Sequence, residues 1–256
     1  MRDASAFLGQ WPFTSAPAPS AALLRRRYRE CGVEEAAVSP MAAVLQPEPM
    51  SANLALFDEL RDGAGEAGVA LRPVPVINPS LSGWEEDLER CLRLAPARLA
   101  GVRIVPNYHG FSLEDGVADR LAEACQARQL TLCVQVRMED ERSHHPSMPV
   151  PGVGSAQVRD LAVRHEGLPL LVCGAYLREL EAYAACANIV AELSFVESGR
   201  LLAAAIAALG AGRLAMGTHA PLHVIEAGVA KVGSDELDAG AEAAIGDGNF
   251  RRLFPR

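Results

Sequence analysis

The stretch LAGVRIVPNYHGFSLEDGVADRLAEACQARQLTLCVQV, residues 99–136, holds one complete structural unit. It opens on an apolar run at 99–105, then breaks at Pro106-Asn107-Tyr108-His109-Gly110. Proline removes an amide donor and glycine accepts positive φ, so a loop is expected there. Over 113–128 the pattern is that of an amphipathic helix. A second apolar run, 130–136, follows at once. A strand apolar on both faces, then an amphipathic helix, then another such strand is the signature of a parallel sheet.

The same alternation fills the rest of the chain. Strands are predicted at 4–8, 35–39, 71–77, 99–105, 130–136, 169–173, 189–195 and 214–216. Helical patterns lie at 20–31, 53–61, 84–94, 113–128, 156–165, 177–186, 199–209 and 222–229, with a Pro/Ser/Ala stretch ahead of the first. Ser82 is the expected N-cap of the third, whose first turn carries Glu85, Glu86 and Asp87. Eight β-then-α units in 256 residues predict a (β/α)8 TIM barrel, one domain spanning 1–256. A doubly wound open sheet would place a Gly-rich turn after its first strand, and Gly9-Gln10-Trp11 is not one.

Charge and cysteine usage narrow the partners. A net charge of −8 argues against nucleic acid, which needs clustered Lys and Arg. The one basic cluster, Arg25-Arg26-Arg27 with Arg29, falls in a helical pattern and reads as a solvated face. Six cysteines, at 31, 91, 125, 133, 173 and 186, form no C-x-x-C pair and read as buried thiols of a reducing compartment. With no signal-peptide pattern and no bilayer-length apolar run, a cytoplasmic protein without a membrane partner is expected.

In such a barrel the site lies at the C-terminal strand ends. Those ends carry Asn78, Arg103, Tyr108, His109, Arg137, Glu139, Asp140, Glu192 and His219, and the loop 137–154 adds Arg142, His144 and His145. Arginine suits bidentate capture of a carboxylate, and histidine suits proton transfer near neutral pH. Arg103 and Arg137, with Tyr108, His109 and Asn78, are therefore the expected substrate-binding residues. His219, Asp140 and Glu192 are the expected catalytic ones. A bland alternative stands beside this: strand-end arginines paired to carboxylates often only hold loops, and for Arg137 with Asp140 both readings stay open. Cys173 reads as a small core residue, because its neighbours offer no cation to stabilise a thiolate.

The phrases GVRIVPNYHGFSLED (101–115), LAMGTHAP (214–221) and AIGDGNFRRLF (244–254) resemble the amidohydrolase superfamily. The branch resembled is the amidohydrolase-related one, which holds metal-dependent hydrolases and non-oxidative decarboxylases. The resemblance implies a divalent metal held by His-x-His on the first strand, histidines on the fifth and sixth, and an aspartate on the eighth. Laid on this chain, Asp3-Ala4-Ser5-Ala6-Phe7 puts Ser5 and Phe7 at the two first-strand positions. Gln135 or Arg137 stands on the fifth strand, Cys173 near the sixth position, and His219 where the aspartate belongs.

Phe7 has no donor atom and Arg137 is a fixed cation, so no cofactor is expected; zinc or manganese enters only if His144, His145 and His219 build a new site. Two functions follow. One is a hydrolase or lyase acting on a small carboxylated or lactone-like molecule. The other is a non-catalytic barrel that binds a small molecule or a protein. A homodimer is compatible with either.

Overall fold

Each apolar run forms a strand buried from end to end or nearly so, because the barrel interior covers one face and helices cover the other. The structure, a computed structural model, describes residues 1–14, 18–62, 68–95, 97–197, 199–234 and 237–255. The Pro/Ser/Ala stretch ahead of the first helix thus lies partly outside the described residues. The strands are β1 (Arg2–Leu8), β2 (Glu35–Pro40), β3 (Ala70–Pro73), β4 (Gly101–Ile104), β5 (Thr131–Gln135), β6 (Leu170–Cys173), β7 (Ile189–Glu192) and β8 (Leu214–Ala215).

They pair in parallel as β1-β2-β3 and β4-β5-β6-β7-β8. Two seams join these sheets. Between β3 and β4, Val76 bridges Arg103, Arg103 N donates to Pro75 O, and Ile77 N donates to Arg103 O. Between β8 and β1, Ala4 N donates to Met216 O and His219 N to Ser5 O. The sheet is a closed (β/α)8 barrel, as expected.

The helices are α1 (Ala21–Glu30), α2 (Met50–Asp62), α3 (Trp84–Leu94), α4 (Pro106–His109), α5 (Gly116–Ala127), α6 (Ser155–Arg164), α7 (Leu177–Leu180), α8 (Gly199–Leu209), α9 (Ile225–Val232), α10 (Ala239–Ala243) and α11 (Asn249–Leu253). In α1, Ser20 Oγ caps Leu23 N, and Ala21, Leu24, Arg25 and Tyr28 face the core at i, i+3, i+4 and i+7. Arg25 is therefore buried, unlike the exposed Arg26, Arg27 and Arg29 of the same cluster. The N-cap of α3 is Gly83, not Ser82, and it makes no side-chain cap bond.

The barrel interior is filled in three levels, and these position the site. At the N-terminal end of the strands, Phe250, Leu253 and Phe254 from the tail pack on Ala4, Ala37, Val74, Ala100, Cys133 and Leu171. A polar level of Ser5, Ser39, Arg103 and Gln135 lies above it. The C-terminal end is closed by an apolar cluster that includes Phe7, Trp11, Met41, Val44, Val76, Val105 and Met138.

Candidate functional site

Arg103 stands at the centre of the polar level and is fully buried. Its Nε donates to Ser39 Oγ at 2.8 Å and its Nη2 to Ser5 Oγ at 3.1 Å, while Nη1 donates to Gln135 Oε1. The Phe7 ring covers the guanidinium with its centroid 4.5 Å away. Among the described residues, no carboxylate pairs with Arg103. Its partners come from β1, β2 and β5, so this side chain ties four strands together. A ligand cannot reach it past Phe7 without moving the cover.

Arg137 is buried as well, and its charge is already matched. Glu179 takes it as a fork, with Nη1 to Oε2 at 2.8 Å and Nη2 to Oε1 at 2.6 Å. The guanidinium also stacks on the Tyr176 ring at 3.8 Å and donates to Gly174 O. Asp140, the partner considered from sequence, instead accepts from Arg142, which holds its carboxyl well below the usual carboxylate range. Glu179 was not on the sequence shortlist. Its one signal was the spacing from Tyr176, whose N–H it accepts at 2.8 Å at the start of α7.

The remaining candidates have structural partners too. Glu192 accepts from Gly174 N at 2.5 Å and from both Ser194 N and Ser194 Oγ at 2.7 Å. Asn78 Nδ2 donates to Pro47 O, and Asn78 Oδ1 caps Ser80. His109 Nε2 bonds Ala43 O at 3.0 Å, and burial lowers its pKa. His219 lies fully buried, Nε2 donating to Met138 O at 2.8 Å and the ring edge-on to Phe7 and Phe195. Burial lowers its pKa from 6.5 to about 3, so it is a neutral imidazole facing aromatic rings. The carbonyl can only accept, which puts the proton on Nε2 and leaves Nδ1 without a partner.

A cavity of about 420 Å³ opens above the apolar closure. Its walls include Trp11, Phe13, Tyr108, Glu139, His144, His145 and Met148, drawn from the loops after β1, β4 and β5. Tyr108 is thus the one expected substrate-binding residue that lines it. His144 Nδ1 accepts from Val150 N, and His145 Nδ1 accepts from Ser147 N, so each neutral ring carries its proton on Nε2. Among the described residues, His144 Nε2 and Trp11 Nε1 are both buried without an acceptor. Such orphaned donors call for an acceptor oxygen, because an unmet buried N–H costs about 1–3 kcal/mol.

The fold has counterparts among solved structures. No family model matches the chain, and no curated protein matches it. The 5-carboxyvanillate decarboxylase of Sphingomonas paucimobilis is 15% identical with a TM-score of 0.72, over 99% of this chain and 98% of that one. An amidohydrolase from Burkholderia multivorans is 16% identical with a TM-score of 0.71, over 99% of both chains. A dihydroxybenzoic acid decarboxylase from Polaromonas sp. JS666, bound to manganese and the inhibitor 2-nitroresorcinol, is 15% identical with a TM-score of 0.70, over 99% and 96%. This chain therefore has the barrel fold of amidohydrolases and related decarboxylases, as its sequence resemblance implied.

The expectation of no cofactor for this chain is corrected by the manganese-bound neighbour, which holds a metal in a barrel of this fold. The fit of an ion to this chain is a separate question, and the residues at the implied positions answer it poorly. Phe7 offers no donor, Ser5 Oγ and Gln135 Oε1 accept from Arg103, and His219 Nε2 is held by Met138 O. Among the described residues, no group of three His, Cys, Asp or Glu side chains converges to hold a metal. His144 and His145 line the mouth cavity while His219 is buried elsewhere, so these three do not form one site.

Proposed function

We propose that this chain is a lyase or hydrolase whose substrate is a small aromatic carboxylic acid, held in the mouth cavity. The aromatic wall of that cavity, Trp11, Phe13 and Tyr108, carries this reading, because a planar ring packs edge or face against such faces. On rotation of the His144 ring its Nε2–H would donate to the acid or phenolic oxygens, with His145 supplying a further Nε2–H. Carboxyvanillate and dihydroxybenzoic acid, named for the neighbouring decarboxylases, are molecules of this class.

The roles divide by depth. Trp11, Phe13, Tyr108, His144 and His145 bind and orient the acid. Arg103, Arg137, Asp140, Glu192 and His219 form the ground on which the loops are built. One domain spanning 1–256 is part of the same reading. The six free cysteines support a reducing, cytoplasmic setting, and no helix among the described residues is long and apolar enough to cross a membrane.

Turnover is tested by incubating the protein with a panel of hydroxylated benzoic acids and their lactones, with and without added manganese. Product formation that is lost in Trp11→Ala supports the proposal; its absence across the panel contradicts it. A second reading, binding without turnover, is favoured by the apolar layer of Phe7 and Met138 that separates the cavity from the polar level. Saturable binding of the same acids with no product would select it.

A further inference from the structure

The chain carries 23 arginines and one lysine, Lys231. A basic residue chosen only for charge or a surface ion pair is arginine everywhere else in this protein. Lys231 is on α9 and lines a cavity of about 470 Å³ with Ser194, Glu197, Thr218, His223 and Ser234. This cavity shares no lining residue with the mouth cavity. A guanidinium stays protonated in any protein setting, whereas an ammonium gives up its proton when desolvated and becomes a nucleophile.

The surroundings of the amine restrict what it meets. Lys231 Nζ donates to Leu193 O at 2.6 Å, which holds the amine at the end of β7. Burial lowers its pKa, and the nearby Glu192 works against that shift. The Thr218 hydroxyl is committed to Asp3 and the Ser194 hydroxyl to Glu192. What the wall offers a ligand is the amine, with the His223 imidazole beside it on a hydrogen bond to the Ser194 backbone. Glu197 on the wall is already paired with Arg142, and Glu192 behind the amine offsets its charge, so the wall offers an anionic ligand no uncompensated cation. A neutral carbonyl compound is matched on size and charge.

We propose that Lys231 forms a Schiff base with a small uncharged aldehyde or ketone that enters this cavity. The neutral amine attacks the carbonyl carbon, and the C=O electron pair moves onto oxygen. A proton passes from nitrogen to that oxygen, with the His223 ring as the carrier. The carbinolamine then expels its hydroxyl as water, the remaining N–H proton reaching that oxygen through His223, while the nitrogen lone pair forms the C=N bond. Amine and carbonyl give imine and water, with no change of oxidation state.

The test uses the full chain, propanal as probe, and cyanoborohydride to trap any imine, read by intact mass and peptide mapping. The Met1 α-amine, at the surface on Gly32 O, is an internal reference, because an α-amine is ordinarily labelled faster than a lysine at neutral pH. Labelling of Lys231 is expected to outrun Met1 at neutral pH, to saturate with propanal, and to exceed free Nα-acetyl-lysine amide about tenfold. His223→Asn is expected to slow Lys231 and leave Met1 unchanged, and Lys231→Arg to remove the saturable uptake. Labelling confined to Met1, or a Lys231 rate that is linear in propanal and equal to that of the free amine, would overturn the proposal. Neither result depends on activity at the mouth cavity.

Discussion

Arg103 Nη2 lies 3.1 Å from Ser5 Oγ, which sets a permanent cation of β4 against a β1 position that the sequence resemblance assigns to a metal ligand. The same guanidinium bonds Ser39 and Gln135, so its energetic role is to join β1, β2, β4 and β5. Arg103→Met keeps much of the volume but removes the donors, and it is expected to destabilise the fold by about 3 kcal/mol. Arg103→Lys should fall between, because one ammonium cannot span the fork. Urea unfolding reads both. A loss within about 0.5 kcal/mol for the Met variant would show that the ties carry no stability.

Arg137 and Glu179 are expected to behave as a coupled pair. Glu179→Gln leaves a buried guanidinium without its counter-charge and should cost about 3 kcal/mol. Arg137→Met combined with Glu179→Leu should recover much of that loss, because the uncompensated charge is gone. A double-mutant cycle in urea measures the coupling. Additive single effects would refute it.

The pH dependence of stability rests on two buried groups with opposite signs. His219 is held at about 3 against 6.5 in the unfolded chain, so the unfolded state binds the extra proton between these values. Stability from this group is full above 6.5 and falls as pH drops toward 3, by at most about 1.4 kcal/mol per pH unit. Burial raises Asp3 from 3.8 to about 6, against hydrogen bonds from Thr218, Tyr28 and Ser5. The folded state then holds the extra proton, and stability falls as pH rises from 3.8 to 6. The two slopes offset in the native chain. Asp3→Asn should uncover the acid-side loss due to His219, and His219→Asn the opposite trend due to Asp3. Asparagine suits position 219, where φ is +54°. Variants whose profiles both parallel the native one would sink this account.

Thiol accessibility gives a simpler check. Cys31 is half-buried and the other five are buried, with Cys91, Cys125 and Cys133 pushed up to about 12. A disulfide reagent should therefore modify one thiol promptly in the native protein and all six after denaturation. Fewer than six in denaturant would reveal a disulfide.

The barrel was legible because a strand buried on both faces leaves an unbroken apolar run, as in the chain around Cys133, and because helical spacing separates the runs. Strand ends were less so: the predicted third strand shortens to Ala70–Pro73 with an isolated bridge at Val76, since Pro73 and Pro75 lack ladder donors. The strand-end shortlist named residues whose partners it could not foresee. Arg137 meets Glu179 across 42 positions, while Asp140 sits three away and turns to Arg142 instead. Nothing local distinguishes those choices. Asp3, seen only as part of a motif frame, proves to clamp β1 to Thr218 and Tyr28. Trp11 packs in the apolar closure while also lining the cavity.

Binding of aromatic acids beside Trp11 can be read directly, because the chain contains one other tryptophan, Trp84, buried at the start of α3. In Trp84→Phe, Trp11 becomes the sole indole reporter, and the measurement is its fluorescence during titration with 2,6-dihydroxybenzoate. The account predicts saturable quenching, weakened about tenfold by His144→Gln through loss of one hydrogen bond to the acid. No saturable change at Trp11, or quenching that His144→Gln leaves untouched, would contradict it.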